Sequence, residues 1–237
     1  MKGLSRIVVA LSCLLSAAGG QAQTRVCSSG KGGWRGTLQR VVILRPRVNL
    51  MKNSSDDVRV GASEQTEAGF HSELARAFVD KGYKLWLDPL LTPDWEQTPP
   101  TDTAVKYLKD HFDALFPKPF FNGPDCTTLS KTSFKNELEG VTDRKDWDAL
   151  VLARAHGYIL TKSYRVMEVL GVPLGVSSGP DEDLYINLAV VDRSTGTVLY
   201  YCESKASGAY VLDPDRLSGP IRKCLKRFSK AANQGSY

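Results

Sequence analysis

The stretch "LYINLAVVDRSTGTVLYYCES", residues 184–204, carries the most regular pattern in this sequence. Apolar side chains recur at every second position on both sides of "DRSTG", as they do in strands that bury one face. Gly196 supplies the positive φ that a short turn with a bulge requires. The stretch therefore predicts a β-hairpin. Leu184, Ile186, Leu188 and Val190 share one face of its first strand, and Val198, Tyr200 and Cys202 alternate likewise in the second.

Apolar residues at three- and four-residue spacing predict helices before and after this hairpin. Ser63 caps the first helix and Gly82 ends it, since Ser is a favoured N-cap and Gly readily adopts the left-handed conformation that follows a helix. The segments between the helices and strands are polar and are expected to be loops. The other expected elements are a helix from Asp102 or Thr103 to Pro117, a helix at about 215–230, a loop at 45–62, and a long loop at 117–146 with a short helix near 134–138.

Three earlier strands are predicted from short apolar or alternating runs, at 38–46, 83–88 and 147–155. The segment after the third strand has a mixed pattern. The order is therefore strand, helix, strand, helix, then three strands and a helix. This order predicts an α/β fold, in which a mixed β-sheet is flanked by helices in a single three-layer domain.

These elements resemble the periplasmic domains related to the curli secretion lipoprotein CsgG and the N-terminal domain of TolB. The matching pieces, in chain order, are "VVIL", "ELARAFVDKGYKLWLD", "WDALVLARA" and "VVDRSTGTVLYY", followed by a C-terminal helix. They correspond to an early strand, a helix with a "GY" step into the next strand, a further strand and a "VD-x-x-TG" hairpin. The resemblance covers roughly residues 38–230 and implies the fold. It assigns no catalytic or pore residue to this chain.

The N-terminus has the features of a secretory signal peptide. Lys2 and Arg6 precede a short apolar run, and Gly20 and Ala22 place small residues before the expected cleavage site. Later runs fall short of the ~18 apolar residues that a membrane helix needs. We expect an exported protein, periplasmic or alternatively extracellular, with no integral membrane segment after cleavage. The expected organisation is a signal peptide at 1–22, a flexible arm at 23–37, one α/β domain at 38–230 and a disordered tail at 231–237.

The charge pattern argues against a nucleic-acid partner. The net charge of +5 falls to about +3 when the two basic residues of the signal peptide are removed. The basic cluster "RKCLKRFSK", residues 222–230, contains one aromatic residue, Phe228, which lies on the opposite, apolar side of the predicted helix. We interpret the cluster as a solvated helix face. The stretch "CSSGKGGWRG", residues 27–36, precedes a strand instead of following one and opens no helix, so it does not match a phosphate-binding loop.

Four cysteines remain after the signal peptide is removed, because Cys13 lies within it. An even number of cysteines in an exported chain predicts disulfides, and four cysteines allow three pairings. One arrangement ties the C-terminal helix to the sheet and the N-terminal arm to the long central loop. No pair has the spacing of a zinc or redox motif. The cysteines are Cys27, Cys126, Cys202 and Cys224, and the favoured pairs are Cys202 with Cys224 and Cys27 with Cys126.

The sequence contains no recognisable catalytic set. His156 is the best candidate for a working imidazole, because it follows the third predicted strand and strand ends border clefts in α/β folds. His71 is expected to pair with Glu67 at the helix surface, and His111 is expected to face solvent. The acidic cluster at 181–183 lacks the spacing of a calcium loop. We therefore assign no metal site and no cofactor.

Two functions remain open at this point. The first is a non-enzymatic envelope protein, a periplasmic binding or assembly-accessory domain that contacts another envelope protein. Trp95, Phe120 and Phe121 are its candidate contact residues, because aromatic side chains in loops often anchor interfaces, although the same residues can instead pack their loops onto the core. The alternative is a secreted hydrolase or metal-dependent enzyme that uses His156. The lack of a motif favours the first function.

Overall fold

Eight strands among the described residues form one mixed sheet. The computed structural model describes residues 24–28, 37–52, 55–58, 60–85, 99–116, 124–139, 141, 147–159, 183–207 and 217–231. The strands are β1 (Thr24–Ser28), β2 (Arg40–Ile43), β3 (Arg47–Lys52), β4 (Ser55–Val58), β5 (Lys84–Leu85), β6 (Ala149–Ile159), β7 (Asp183–Asp192) and β8 (Val198–Ser207).

The long strand β6 lies at the centre of the sheet. On one side it pairs antiparallel with β7, which continues antiparallel to β8 and then to β1. On the other side its first half pairs parallel with β2 and its second half parallel with β3. Pro46 lies between β2 and β3 and cannot donate a ladder hydrogen bond. β5 extends the sheet beside β2, and β4 extends it beside β3.

The hairpin of β7 and β8 confirms the strongest prediction from the sequence. Gly196 has φ of 68° at the turn, and its N–H donates to the carbonyl of Asp192 at 2.8 Å. The side chain of Asp192 accepts from the backbone N–H of Thr195 at 2.7 Å, as turn aspartates commonly do. The register shifts between Val190 and Val191, which places a bulge beside the turn.

Helices cover both faces of the sheet, which confirms the predicted α/β class and its three layers. The first and last helices share one apolar core with the sheet, around Phe70, Phe78 and Ile221. The three central helices share a second core on the opposite face, around Phe112 and Phe134. The helices are α1 (Val60–Val79), α2 (Pro99–Ala114), α3 (Cys126–Lys131), α4 (Lys135–Glu139) and α5 (Ser218–Leu225).

The expected loop at 45–62 is wrong, because β3 and β4 occupy most of it. Val48 and Leu50 point into the core on alternate positions of β3, which is the period of a strand. Ser63 does not cap α1, which begins at Val60; its hydroxyl instead accepts from the N–H of Leu50 at 3.2 Å. Gly82 does end this region with φ of 85°, as predicted.

Two further segments differ from expectation. Thr24–Ser28, within the expected flexible arm, form strand β1 and pair with β8. The expected long loop at 117–146 contains α3 as well as a short helix, α4, close to the predicted position. One disulfide, between Cys27 and Cys126, joins these two segments.

The two disulfides pair Cys27 with Cys126 and Cys202 with Cys224. This is the arrangement favoured among the three that the sequence allows. Cys27–Cys126 ties the edge strand β1 to α3 across the second core. Cys202–Cys224 ties β8 to α5 across the first core. Each disulfide therefore joins a helix to the same sheet.

Candidate functional site

Five polar side chains from five neighbouring strands stand side by side on the face of the sheet that α2 covers. The backbone register places each one opposite the next across the sheet. Such a line interrupts a face that is otherwise apolar. We call it the polar row, and its members in sheet order are Arg25, Glu203, Asn187, Arg154 and Arg47.

The polar row arises from a change in the pattern of β6. Leu150 and Leu152 pack in the second core, and the next two residues on the same face are Arg154 and His156. Beside them, the hydroxyl of Tyr201 donates to Oδ1 of Asn187 at 2.6 Å. The face is therefore apolar at one end of β6 and hydrogen-bonding at the other.

Helix α2 supplies the acidic partners of the row. Arg47 Nη1 lies 2.7 Å from Asp110 Oδ1 and 2.7 Å from Asp113 Oδ2. Arg154 Nη1 lies 3.3 Å from Asp113 Oδ1 and donates to the carbonyl of Asp113 at 3.2 Å. Asp113 therefore joins the two arginines, and the last turn of α2 is fixed to β3 and β6.

Arg154 is the most deeply buried cation of this cluster, with 5% of its side chain exposed. Burial lowers its pKa, against the opposing charge of Asp113. Its guanidinium carbon lies 4.5 Å from the centroid of the Phe116 ring, in cation–π geometry. Within the described part of the chain, Arg154 Nε has no hydrogen-bond acceptor. Packing against Phe116 and the ion pair with Asp113 hold the side chain, although its hydrogen-bonding capacity is only partly used.

His156 is buried in the middle of β6, which corrects the expectation that it follows the strand. Burial, and then the positive charge of Arg154, lower its pKa from 6.5 to about 4. Arg154 Nη2 contacts His156 Nε2, and since a guanidinium offers only N–H donors, Nε2 must accept. The ring is therefore neutral at physiological pH and carries its proton on Nδ1.

A neutral, buried imidazole beside a cation does not suit general base catalysis. A general base works best with a pKa near the working pH and within reach of substrate. His156 has a pKa of about 4 and 6% exposure. The geometry instead makes His156 a hydrogen-bond acceptor for Arg154, and the structure gives no support to the hydrolase alternative at this residue.

The other two histidines make contacts that the sequence does not predict. His71 Nε2 lies 3.2 Å from the carbonyl oxygen of Ile43, and Glu67 pairs with Arg45 at 3.3 Å. His111 does not face solvent freely, because its Nδ1 lies 2.6 Å from Glu137 Oε1. These contacts tie α1 to β2 and α2 to α4.

The proposed contact residues Trp95, Phe120 and Phe121 lie outside the described residues. Among those described, the site that the structure assembles consists of Arg47, Asp113, Arg154 and His156. Sequence reasoning selected only His156. The alternation of Leu150, Leu152, Arg154 and His156 was a usable signal for Arg154, whereas nothing local links Asp113 to a strand far from it in sequence.

Within the described ranges, no three His, Cys, Asp or Glu side chains converge in the manner of a metal site. Likewise, none of the described helices has the length and hydropathy to cross a bilayer.

No family model matches this chain, and no curated protein matches it. Several solved structures have a partly similar backbone arrangement. The PelC dodecamer from Paraburkholderia phytofirmans is 8% identical with a TM-score of 0.40, covering 89% of this chain and 99% of that chain. Lipoprotein GNA1162 from Neisseria meningitidis is 10% identical with a TM-score of 0.36, covering 83% and 99%. A DUF4136 family protein from Bacteroides thetaiotaomicron is 6% identical with a TM-score of 0.34, covering 86% and 94%.

These TM-scores are all below 0.5, so the likeness carries nothing about function. The words "dodecamer" and "lipoprotein" describe those proteins and are not carried over to this chain. None of the three is a CsgG or TolB domain, and the resemblance to those families stays a prediction.

Proposed function

We propose that this chain is an exported, non-enzymatic binding domain of the cell envelope. The observation that carries the proposal is the pair of disulfides, Cys27–Cys126 and Cys202–Cys224. Disulfides that join distant parts of a fold persist in oxidising compartments and are rare in the cytosol. The features of a signal peptide at residues 1–22 agree with the same compartment.

Binding is favoured over catalysis by the state of the polar residues at the candidate site. Arg47 and Arg154 are paired with Asp110 and Asp113 within the fold. His156 is neutral and buried. The ion pairs fix α2 on the sheet, so their role is structural: they hold the neighbouring surface in one conformation. The finer proposal is a periplasmic accessory domain of CsgG-like or TolB-like order that contacts another envelope protein.

Trp95, Phe120 and Phe121 are the proposed contact residues for that partner. Their segments flank α2 in the sequence, at 91–98 and 117–123. Large aromatic side chains contribute most of the binding energy in many interfaces. A partner that used them would therefore lose affinity when they are truncated.

The first test is the compartment. The protein is expressed in its own host, the cells are fractionated, and free thiols are labelled before and after reduction. We expect the protein in the envelope or medium, with all four mature cysteines labelled only after reduction. A cytoplasmic protein with free thiols would overturn the proposal.

The second test is the partner. Crosslinking in intact cells, followed by purification and mass spectrometry, is compared for the wild type, Trp95→Ala and the double variant Phe120→Ala with Phe121→Ala. Tyr107→Ala is the matched control, because Tyr107 is an aromatic residue on α2 with 63% exposure. We expect a stoichiometric partner that is lost in the test variants and kept in the control. If every variant recovers the partner equally, Trp95, Phe120 and Phe121 are not the contact residues.

A further inference from the structure

A cleft of about 500 Å³ lies between the C-terminal end of α1 and helix α5. The cleft is shallow and largely open to solvent, so it suits a compact group that binds at the surface. It is on the face of the sheet opposite the polar row, so it is separate from the candidate site above. The residues that line it are Ala77, Asp80, Lys81, Gly219, Arg222, Lys223, Leu225 and Lys226.

The walls of the cleft are held by several independent contacts. Cys202–Cys224 fixes α5 to β8, and the hydroxyl of Tyr200 donates to the carbonyl of Cys224. The backbone N–H of Ala231 donates to the carbonyl of Lys81 at 3.0 Å, which joins the segment after α5 to the end of α1. A cleft built on such a frame is largely formed before any ligand binds, which lowers the entropic cost of binding.

The lining has a large excess of positive charge. It contains four cations, namely Lys81, Arg222, Lys223 and Lys226, against the single carboxylate of Asp80. That carboxylate lies 3.8 Å from Arg222 and both side chains are more than half exposed, so the pair is weak. In the part of the chain that the structure describes, no ion pair involves Lys223 or Lys226.

The cations also repel one another. Arg222 lies on α5 and Lys226 is the residue that caps its C-terminus; the two are four residues apart, a spacing at which like charges destabilise a helix. Burial lowers the pKa of Lys81, and the charge of Lys230 lowers it further. Lys81 Nζ nevertheless stays at the cleft, where it donates to the carbonyl of Phe228 at 2.8 Å. A bound anion would relieve this repulsion.

We propose that this cleft binds a phosphate-bearing anion. Phosphate is compact and multiply charged, so one group can meet several of the four cations at once, and Arg222 offers the planar fork that suits its oxygens. The aliphatic stems of the lysines and the arginine that line the cleft can pack against the carbon groups that a phosphate ester carries. The basic cluster at 222–230, interpreted from sequence as a solvated face, thus contributes part of its charge to a binding site. This inference does not depend on the proposed envelope partner.

Gly219 provides a sharp test, because a Cβ added there has no heavy atom within 4 Å. Gly219→Glu therefore places a carboxylate at the cleft without a steric clash. A negative charge in the first turn of α5 also agrees with the helix dipole, so the variant should fold at least as well as the wild type. Lys226→Gln removes one lining cation. Lys131→Gln is the matched control, since it makes the same change in net charge at an exposed residue of α3 on the opposite face.

The purified, disulfide-bonded protein is titrated with inorganic pyrophosphate by calorimetry, and mixed with phosphatidylcholine vesicles with and without phosphatidylglycerol. We expect binding to pyrophosphate, to the anionic vesicles or to both. Gly219→Glu and Lys226→Gln should each weaken it tenfold or more, as the loss of one charge-assisted contact does, while Lys131→Gln stays within about twofold. Thermal unfolding of each variant excludes a folding defect.

The two probes separate the sources of the phosphate. Loss of pyrophosphate binding in the cleft variants assigns a soluble phosphate ligand, and loss of vesicle binding alone assigns a lipid headgroup. Absence of binding to both probes would overturn the proposal. Equal weakening by Lys131→Gln would also overturn it, because binding would then follow net charge and not the cleft.

Discussion

Arg154 of β6 lies directly opposite Arg47 of β3 in the parallel register, and the two guanidinium groups share the carboxylate of Asp113. Two adjacent cations on one sheet face are unfavourable unless an anion lies between them. Asp113 comes from the last turn of α2, so this helix completes the charge balance of the strands. The stability of the helix–sheet contact therefore depends on a few polar atoms.

Asp113→Asn should destabilise the fold by about 2 kcal/mol, because it leaves the buried Arg154 without a neighbouring negative charge. Asp113 is 27% exposed, so the expected loss is below that of a fully buried pair. Asp110→Asn is the control; its partners Lys106 and Arg47 are more exposed, and the expected loss is at most about 1 kcal/mol. Urea unfolding measures both, and equal losses would contradict the role assigned to Asp113.

His156 should make stability depend on pH. Its folded pKa of about 4 lies below the ordinary 6.5, so the unfolded chain binds a proton in this range and the folded chain does not. Stability contributed by the neutral ring is complete above pH 6.5 and falls as the pH decreases toward 4, by up to about 3 kcal/mol. The neighbouring charges that act on the ring are those of Arg154 and, through it, Asp113.

The measurement is the free energy of unfolding between pH 7 and pH 5, above the range where most carboxylates titrate. His156→Gln should flatten the curve, because glutamine can still accept from Arg154 but does not titrate. His71→Gln, at a histidine on α1, is the control and should keep the decrease. A wild-type curve that is flat from pH 7 to pH 5 would show that His156 is not buried as described.

Gly196→Ala should be among the most destabilising single substitutions and should lower the free energy of unfolding by about 3 kcal/mol. A Cβ at this position would lie 2.3 Å from the backbone nitrogen of Lys135, and φ is 68°. The turn would have to move away from α4, which breaks the hydrogen bond from the N–H of Phe134 to the carbonyl of Gly196.

Gly82→Ala separates backbone conformation from steric clash. Gly82 also has a positive φ, of 85°, but its added Cβ would meet only Ala231 Cβ at an ordinary 3.7 Å. The expected loss is about 1 kcal/mol, for the conformation alone. Thermal unfolding compares the two variants, and a larger loss at Gly82 would be inconsistent with the close contact at Gly196.

Removing either disulfide should destabilise the protein, and the longer loop should matter more. Cys27–Cys126 closes 99 residues and Cys202–Cys224 closes 22. Loop-closure entropy predicts losses of about 5 and about 3 kcal/mol, respectively, when both cysteines of a pair become serine. Denaturant unfolding under oxidising conditions gives both values. The reverse order would indicate that the two disulfides stabilise by local packing and not by constraining the unfolded chain.

Local sequence was enough to predict the elements whose signal is periodic. The alternation in β7 and β8 and the glycine between them specify a hairpin, because a strand that buries one face must alternate. The three-four spacing in α1 and α2 specified two helices for the same kind of reason. The signal failed for β1 and β3, which are short and depend on the neighbouring strands β8 and β6 to complete their hydrogen bonds.

The sequence by itself determined the α/β class and the number of cysteines available for disulfides, because composition and hydrophobic periodicity are local properties of the chain. Only the tertiary structure decided where His156 lies and what surrounds it. Asp113 is 41 residues from Arg154, and Arg47 is 66 residues from Asp113. Whether an arginine is buried beside a carboxylate, or a lysine faces a cleft, depends on which surfaces the fold brings together. Electrostatic energies at those surfaces vary with burial and distance, and neither quantity exists until the chain has folded.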